Sequence, residues 1–281
     1  VSSDNPMPPV IIAAPRLRKR PRGLLLDVAE PITEGEMDRF AGGVTFCPQG
    51  CANLTAHEDL FCDEVQIPSA GPTTPEAETF HSFTVVGRED APERFEKDLA
   101  TGRIIQRFDT QISAQVAREL ATGAETANPS LQSEATGIVT GPVDVEDALY
   151  AFDDLFSAVD NAQGTIMATP ATFGLLVNAY DVTEENGVYQ TPTGHFLVGD
   201  SGFDGVGPAD ESDPEESWVY GILGVPRYWL GERRQLGTES ARFDMSRNSY
   251  ATIFAQPALV AFENCLVIAV AVTVPTVVAG S

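Results

Sequence analysis

From Pro92 to Gly123 the chain reads PERFEKDLATGRIIQRFDTQISAQVARELATG, in which Phe95, Leu99, Ile105, Phe108, Ile112, Val116 and Leu120 recur mostly three or four positions apart. That spacing predicts an amphipathic helix over residues 92–122, with Pro92 suited to its first turn, Gly123 just past its end and Gly102 a weak point inside it. At about 1.5 Å per residue such a helix runs about 40 Å or more, long for an ordinary globular domain. A second helix is predicted in VDVEDALYAFDDLFSAVDN, residues 143–161, where Val145, Leu149, Phe152, Phe156 and Val159 share one face and six acids line the other. GTIMATPATFGLLVNAY, residues 164–180, reads as a strand, a turn marked by Pro170 and a short helix. FHSFTVV (80–86), GHFLVGDSG (194–202), SWVYGILGVPRYWLG (217–231) and NSYATIFAQPALVAFENCLVIAVAVTV (248–274) supply further strands. Within the last, CLVIAVAVTV is apolar throughout and stops at Pro275. Ten residues are too few to cross a bilayer as a helix, so the run reads as a strand buried on both faces. With no internal repeat, the mixture predicts an α+β fold.

The N-terminal part has a different texture. Residues 1–35 carry prolines at 6, 8, 9, 15, 21 and 31 and have no helical period, so they read as an extended arm with little core of its own. Residues 36–79 are rich in Gly, Pro and Cys; GGVTFCPQGC suggests a strand and turn, and IPSAGPTTPEAE a polar linker.

Charge sharpens this division. The 281 residues include 41 acids against 17 Lys and Arg, a formal net charge of -24. Such a surface repels nucleic acid and anionic membranes, which excludes both as general partners. Five of the 17 cations fall in RLRKRPR: Arg16, Arg18, Lys19, Arg20 and Arg22. A basic arm on an acidic body predicts that the arm lies on a neighbouring copy of that body. No secretory apolar core is visible near the N-terminus, and synthesis in the cytoplasm is the expectation.

Candidate chemistry is sparse. Gly199-Asp200-Ser201-Gly202 resembles the segment around the nucleophile of chymotrypsin-like serine proteases, and Thr55-Ala56-His57 resembles the one around their general base. That mechanism needs its triad on loops of two all-β barrels. Here two helices occupy the middle of the chain, Phe203 stands where a further glycine would follow, and two carboxylates follow His57. Phe203 also breaks the G-x-S-x-G elbow. A Gly-rich turn at a strand end is the better reading, with hydrolysis by Ser201 the minor alternative. Cys47, Cys51 and Cys62 could hold zinc with His57, but C-x3-C and one His match no standard spacing; a disulfide within this region or free thiols fit better. Cys265, inside the apolar run, is expected in the core. His81 and His195 flank strands and read as structural, and ADESDPEESW (209–218) lacks the ordered ladder of a calcium loop. No catalytic, cofactor or metal site is assigned.

Taken in succession, the pieces resemble the Hong Kong 97-type capsid fold of tailed phages. The succession is a proline-rich arm, a Gly-rich excursion, a strand leading into one long helix, and then IMATPATFGLLVNA, GVYQTPTGHFLVGD, YGILGVPRYWLG and RNSYATIFAQPALVAFENCLVIAVA. The resemblance implies an N-terminal arm (1–35), an extended loop (36–79), a peripheral domain with the spine helix (80–140), an axial domain (141–245) and returning strands of the peripheral domain (246–281). It implies a structural, non-enzymatic shell protein that assembles as hexamers and pentamers into an icosahedral capsid. Such a capsid holds double-stranded DNA by containment, without specific binding, membrane or cofactor. Minor capsid or decoration proteins and a portal are the further partners it implies, with the virion as location. Encapsulin compartments share the fold and stand as the alternative. Some members join subunits through a Lys-Asn isopeptide bond. The chain's two lysines, Lys19 and Lys97, both lie outside the presumed loop, so that bond is not expected here.

Overall fold

The computed structural model describes residues 23–33, 40, 42–46, 78–91, 97–137, 141–159, 162–179, 181–208, 213–236, 242–244 and 249–274. In chain order these form a one-turn helix α1 (Leu25–Val28), a two-residue strand β1 (Glu30–Pro31), and β2 (Val44–Phe46) paired with β3 (Glu78–Phe80). Strand β4 (Phe83–Ala91) precedes the long helix α2 (Lys97–Thr122), then come the short α3 (Leu131–Glu134) and β5 (Thr136–Gly137). Helix α4 (Val145–Ala158), strand β6 (Gly164–Ala168) and helix α5 (Pro170–Ala179) are followed by β7 (Thr183–Glu185), β8 (Val188–Gln190) and β9 (Phe196–Gly199). The last four elements described are β10 (Glu216–Leu230), β11 (Arg234–Leu236), β12 (Arg242–Asp244) and the 25-residue β13 (Ser249–Thr273).

One large sheet runs in the order β11-β13-β10-β6-β9-β8-β7, with β4, β5 and β12 also on β13 and β1 on β10. Its centre is the antiparallel β10–β13 pair, registered from Glu216↔Thr273 to Leu230↔Ala258. The ladder slips between Ile222 and Arg227, where Gly224 takes φ 68° and Pro226 interrupts the donors. Along both strands successive side chains enter different cores. Trp218, Tyr220, Ile222, Val267, Ala269 and Ala271 join the core under α1 and α2. Val219, Leu223, Ile268, Val270 and Val272 join the core under α4 and α5. The expected strand buried on both faces is therefore present, and the apolar run is continuous because helices cover each side.

Helix α2 meets the sheet through Ala100, Ile104, Phe108, Ile112, Val116 and Leu120, all buried and each four residues from the last. Two residues expected on this face lie off it: Leu99 is 63 % exposed and Ile105 38 % exposed. Each sits one residue, about 100° of helical rotation, to one side of the Ala100–Ile104 line, so it turns away from the sheet. Phe95 and the proposed start at Pro92 lie outside the described residues. Arg103 and Arg107 hold the helix to β4 by pairing with Glu89, each at 2.8 Å. At its end Gly123 takes φ 61° and donates to the Glu119 carbonyl at 2.8 Å, a left-handed stop that glycine adopts without penalty. Helix α4 buries Leu149, Phe152 and Phe156 as its period predicts.

The two sets of α2 positions give a direct test. Ile104→Ala should lower unfolding stability by about 2–5 kcal/mol, whereas Leu99→Ser should change it by less than about 0.5 kcal/mol. Equal losses in urea titrations would mean the face is misassigned.

Candidate functional site

The GDSG segment occupies the end of β9 and the turn after it, where it holds together three parts of the chain. Asp200 is fully buried. Its Oδ2 accepts from the Leu25 backbone N–H at 3.1 Å and from Ser113 Oγ at 2.6 Å, while Oδ1 accepts from the Gly202 N–H at 3.3 Å. Ser113 Oγ in turn accepts from the Leu26 N–H at 3.3 Å. One carboxyl group thus satisfies donors of α1, α2 and its own turn. Burying it is tolerable because its lone pairs are used.

The neighbours of Asp200 follow from the same contact. Gly199 N–H donates to the Gly23 carbonyl at 2.8 Å, and Gly23 N–H donates to Gly187 O at 3.0 Å. Gly23 therefore bridges Gly187 and Gly199 just beyond the paired residues of β8 and β9. Gly202 lies on the backbone of α2, where a Cβ would collide with the Ala114 carbonyl. Phe203 is a core side chain. Ser201 is exposed, and its side chain makes no hydrogen bond among the described residues. The resemblance to a protease nucleophile thus dissolves into structural roles for the residues around Ser201. His57 lies outside the described residues.

His195 is the other buried polar centre, 5 % exposed. Its Nδ1 accepts from the Gly164 N–H at 3.0 Å, and its Nε2 faces Asp153 Oδ1 at 3.3 Å. A backbone N–H only donates, so Nδ1 carries a lone pair and the proton sits on Nε2. Thr193 Oγ1 donates to the same Asp153 oxygen at 2.7 Å, and Phe156 lies against the imidazole. Both ring nitrogens are engaged, which leaves no free base. Burial pushes the His195 pKa below its ordinary 6.5, with Asp153 opposing.

Other expected residues are placed as follows. His81 has its backbone clamped by Asn128, whose Oδ1 accepts from His81 N–H at 2.7 Å and whose Nδ2 donates to His81 O at 2.9 Å. Cys265 is half-buried and disulfide-bonded, which corrects its reading as a core thiol; the partner sulfur lies outside the described residues. Cys47, Cys51 and Cys62 also lie outside them, as do Arg16, Arg18, Lys19, Arg20 and Arg22. Among the described residues no group of His, Cys, Asp or Glu could hold a metal ion, and no helix is long and apolar enough to cross a membrane. The reading from sequence missed Ser113 and Glu119. Both are polar residues on the buried side of α2, and that conflict with the helical pattern was the available signal. Glu119 binds the loop after the helix, accepting from the Glu125 N–H at 3.0 Å and from Thr126 Oγ1.

With that geometry in hand, comparison with known proteins is informative at the level of fold. No family model and no curated protein sequence matches the chain. Among solved structures, a protein of Gordonia phage Cozz is similar over 96% of this chain and 92% of its own, with TM-score 0.54 and 13% identity. The capsid of an empty GTA particle gives TM-score 0.54 and 12% identity over 95% of this chain and 96% of that one. The holo-SrpI encapsulin complex from Synechococcus elongatus PCC 7942 gives 0.51 and 12% over 95% and 93%. The chain has a capsid-shell fold. The likeness read from the succession of sequence elements is therefore borne out, and within this shell fold Asp200 joins α1, α2 and the end of β9.

Asp200→Ala strands buried donors of three elements and should cost about 3 kcal/mol of unfolding stability. Ser201→Ala should stay within about 0.5 kcal/mol and leave fluorophosphonate labelling unchanged, since the residues around Ser201 serve as a structural junction; labelling that depends on Ser201 would overturn this. For His195 the native state resists the proton that the unfolded chain accepts. Its contribution is complete above the unfolded value of 6.5 and declines as pH falls from there towards the lowered native pKa. His195→Asn keeps an acceptor for Gly164 and should flatten the slope of stability between about pH 7 and 5. An unchanged slope would remove His195 from the acid response.

Proposed function

We propose that this chain is a shell subunit that self-assembles into a closed capsid. The observation that carries the reading is the fold likeness to a capsid over 95% of the chain. The finer assignment makes α2 the spine helix of a peripheral domain of residues 80–140, residues 141–245 an axial domain, and residues 246–281, with β13, the returning strands of the peripheral domain. Exposed apolar side chains support contact between copies: Val86 on β4 and Leu99 and Ile105 on α2 stand open in the single subunit. Residues 1–22 act as an assembly arm and residues 36–79 as an extended loop reaching a neighbour; residues 23–33, expected in the arm as chain with little core of its own, instead form α1 and β1 and bury Leu25, Val28, Ala29 and Ile32 in the first core. Head-to-tail contacts of this kind close into rings, giving hexamers and pentamers.

The content is double-stranded phage DNA held by containment, because an acidic wall does not trap the duplex. Portal and minor capsid proteins would complete such a particle, in virions made in the host cytoplasm. No chemistry is assigned to Ser201. The encapsulin-like compartment is the second reading, favoured by the 0.51 likeness to the SrpI complex.

Negative-stain images of purified protein test the proposal, with rings or icosahedral particles expected and a persistent monomer overturning it. Nuclease-protected DNA in particles from the native source would favour the phage capsid, and enclosed protein cargo the compartment. On a boiled, reduced denaturing gel the particles should give a single band near 30.0 kDa. A ladder surviving reduction would mean that subunits are joined covalently.

A further inference from the structure

One strand beside the long helix has an open edge. β4 pairs with β13 from Phe83↔Ala258 to Ala91↔Tyr250, and among the described residues no strand pairs with its other side. Leu230 of β10 flanks Ala258 opposite Phe83, and the next residue, Gly231, donates its N–H to the Pro257 carbonyl at 2.8 Å. Pro257, Ala255 and Ile253 therefore turn their backbone groups away from β4, because in an antiparallel strand these groups alternate sides. Their partners Thr84, Val86 and Arg88 do the same on β4 and present backbone N–H and C=O outward. The Arg107 guanidinium donates to the Arg88 carbonyl at 3.5 Å, as this orientation requires.

Open edges of this kind are normally blunted by proline, bulges or charge. From Phe83 to Gly87 the sequence FTVVG has none of these, its register with β13 is unbroken, and Thr84 and Val86 are exposed. Between this edge and α2 lies a groove of about 420 Å³. Consecutive residues 83–88 line it, as an edge does, since a strand's face would offer only alternate ones. Val85, Phe108 and Ile112 give it an apolar floor. Gln111, Gln115 and Arg118, four and three apart on one side of α2, form the far wall. Their side chains have no hydrogen-bond or ionic partner among the described residues. Gly87 rests on Phe108, and His81 is held by Asn128 beyond the helix, so strand and helix run oppositely and Thr84 lies towards Arg118. Glu125 stands at that same end.

We propose that this groove binds an extended peptide of a partner protein, added to β4 as a further strand, with apolar side chains over the floor and one carboxylate facing Arg118. Main-chain bonds to Thr84 and Val86 supply affinity, and the alternate side chains supply selectivity. The dimensions agree, since Thr84 to Arg88 spans about 13 Å of strand and Gln111 to Arg118 about 10 Å of helix. Glu125 disfavours a second carboxylate beyond the first. The terminal strand β7 of a second copy is a poor occupant: it is three residues long and reads Thr-Glu-Glu, with carboxylates on both faces. The inference rests on β4 and α2 and is independent of the shell reading.

To test it, full-length protein is panned against displayed random heptapeptides, and the consensus is synthesised with a fluorescein label. Enriched sequences should alternate apolar residues and carry one Asp or Glu. Anisotropy titration should show binding about tenfold or more weaker in Arg118→Ala, as the loss of one charge-assisted hydrogen bond implies. Hydrogen exchange of residues 83–88 should slow when the peptide binds, with Thr84 and Val86 the amides protected. N-methylation at alternate peptide nitrogens should abolish binding in one register and spare it in the other, which tests strand addition with the protein unaltered. Absence of an enriched consensus overturns the proposal. So does a consensus whose binding ignores Arg118, responds alike to both N-methyl registers, or leaves residues 83–88 unprotected. Concentration-dependent protection of Thr84 and Val86 without peptide would assign the edge to a second copy and overturn it as well.

Discussion

The antiparallel pair of β10 and β13 offers apolar side chains on both faces, so neither face can be left to water. Each must be covered, and the chain supplies a separate helical cover for each: α1 and α2 on one side, α4 and α5 on the other. The two cores are consequences of that single requirement. Among the described residues, every helix precedes β10 and β13 in the chain. Burying both faces accounts for the unbroken run Val267–Val272, which an open two-faced sheet would have broken with polar residues.

Several polar groups in this interior join elements that apolar contact alone would leave free to slide. Asp200 fixes α1 and α2 against the end of β9, and Glu119 and Asn128 fix the turns around the end of α2. The ring of His195 ties α4 to β6 across the second core. Each of these groups is engaged by backbone groups, hydroxyls or, for His195 Nε2, the Asp153 carboxylate, and satisfied partners are the condition for polar groups to add specificity in a low-dielectric interior. The shell fold thus uses apolar layers for cohesion and a few saturated polar centres for alignment.

Much of this was legible in the sequence. The α4 face, the strand-turn-helix of β6 and α5, and the doubly buried β13 could be read because period and length were unambiguous. The α2 face was blurred because Leu99 and Ile105 are apolar yet exposed, and composition does not distinguish a buried leucine from one left open. GDSG was legible as a turn but not as a junction. The partners of Asp200 are 87 and 175 residues away, and nothing local announces a contact of that range. Cys265 was misread for the same reason, since a disulfide partner far along the chain leaves no mark on the apolar run around it.

Strand β13 extends without interruption for 25 residues, a contour of about 80 Å, and takes part in both cores. A tensile load along its axis is carried by covalent backbone that both cores grip, one on each face. Sliding β13 past β10 would have to shear their hydrogen bonds together, because these lie across the strand direction. Bonds sheared in concert resist far more force than bonds peeled in turn. The subunit is built as a strut, stiff along this strand and compliant only where its covering helices can tilt.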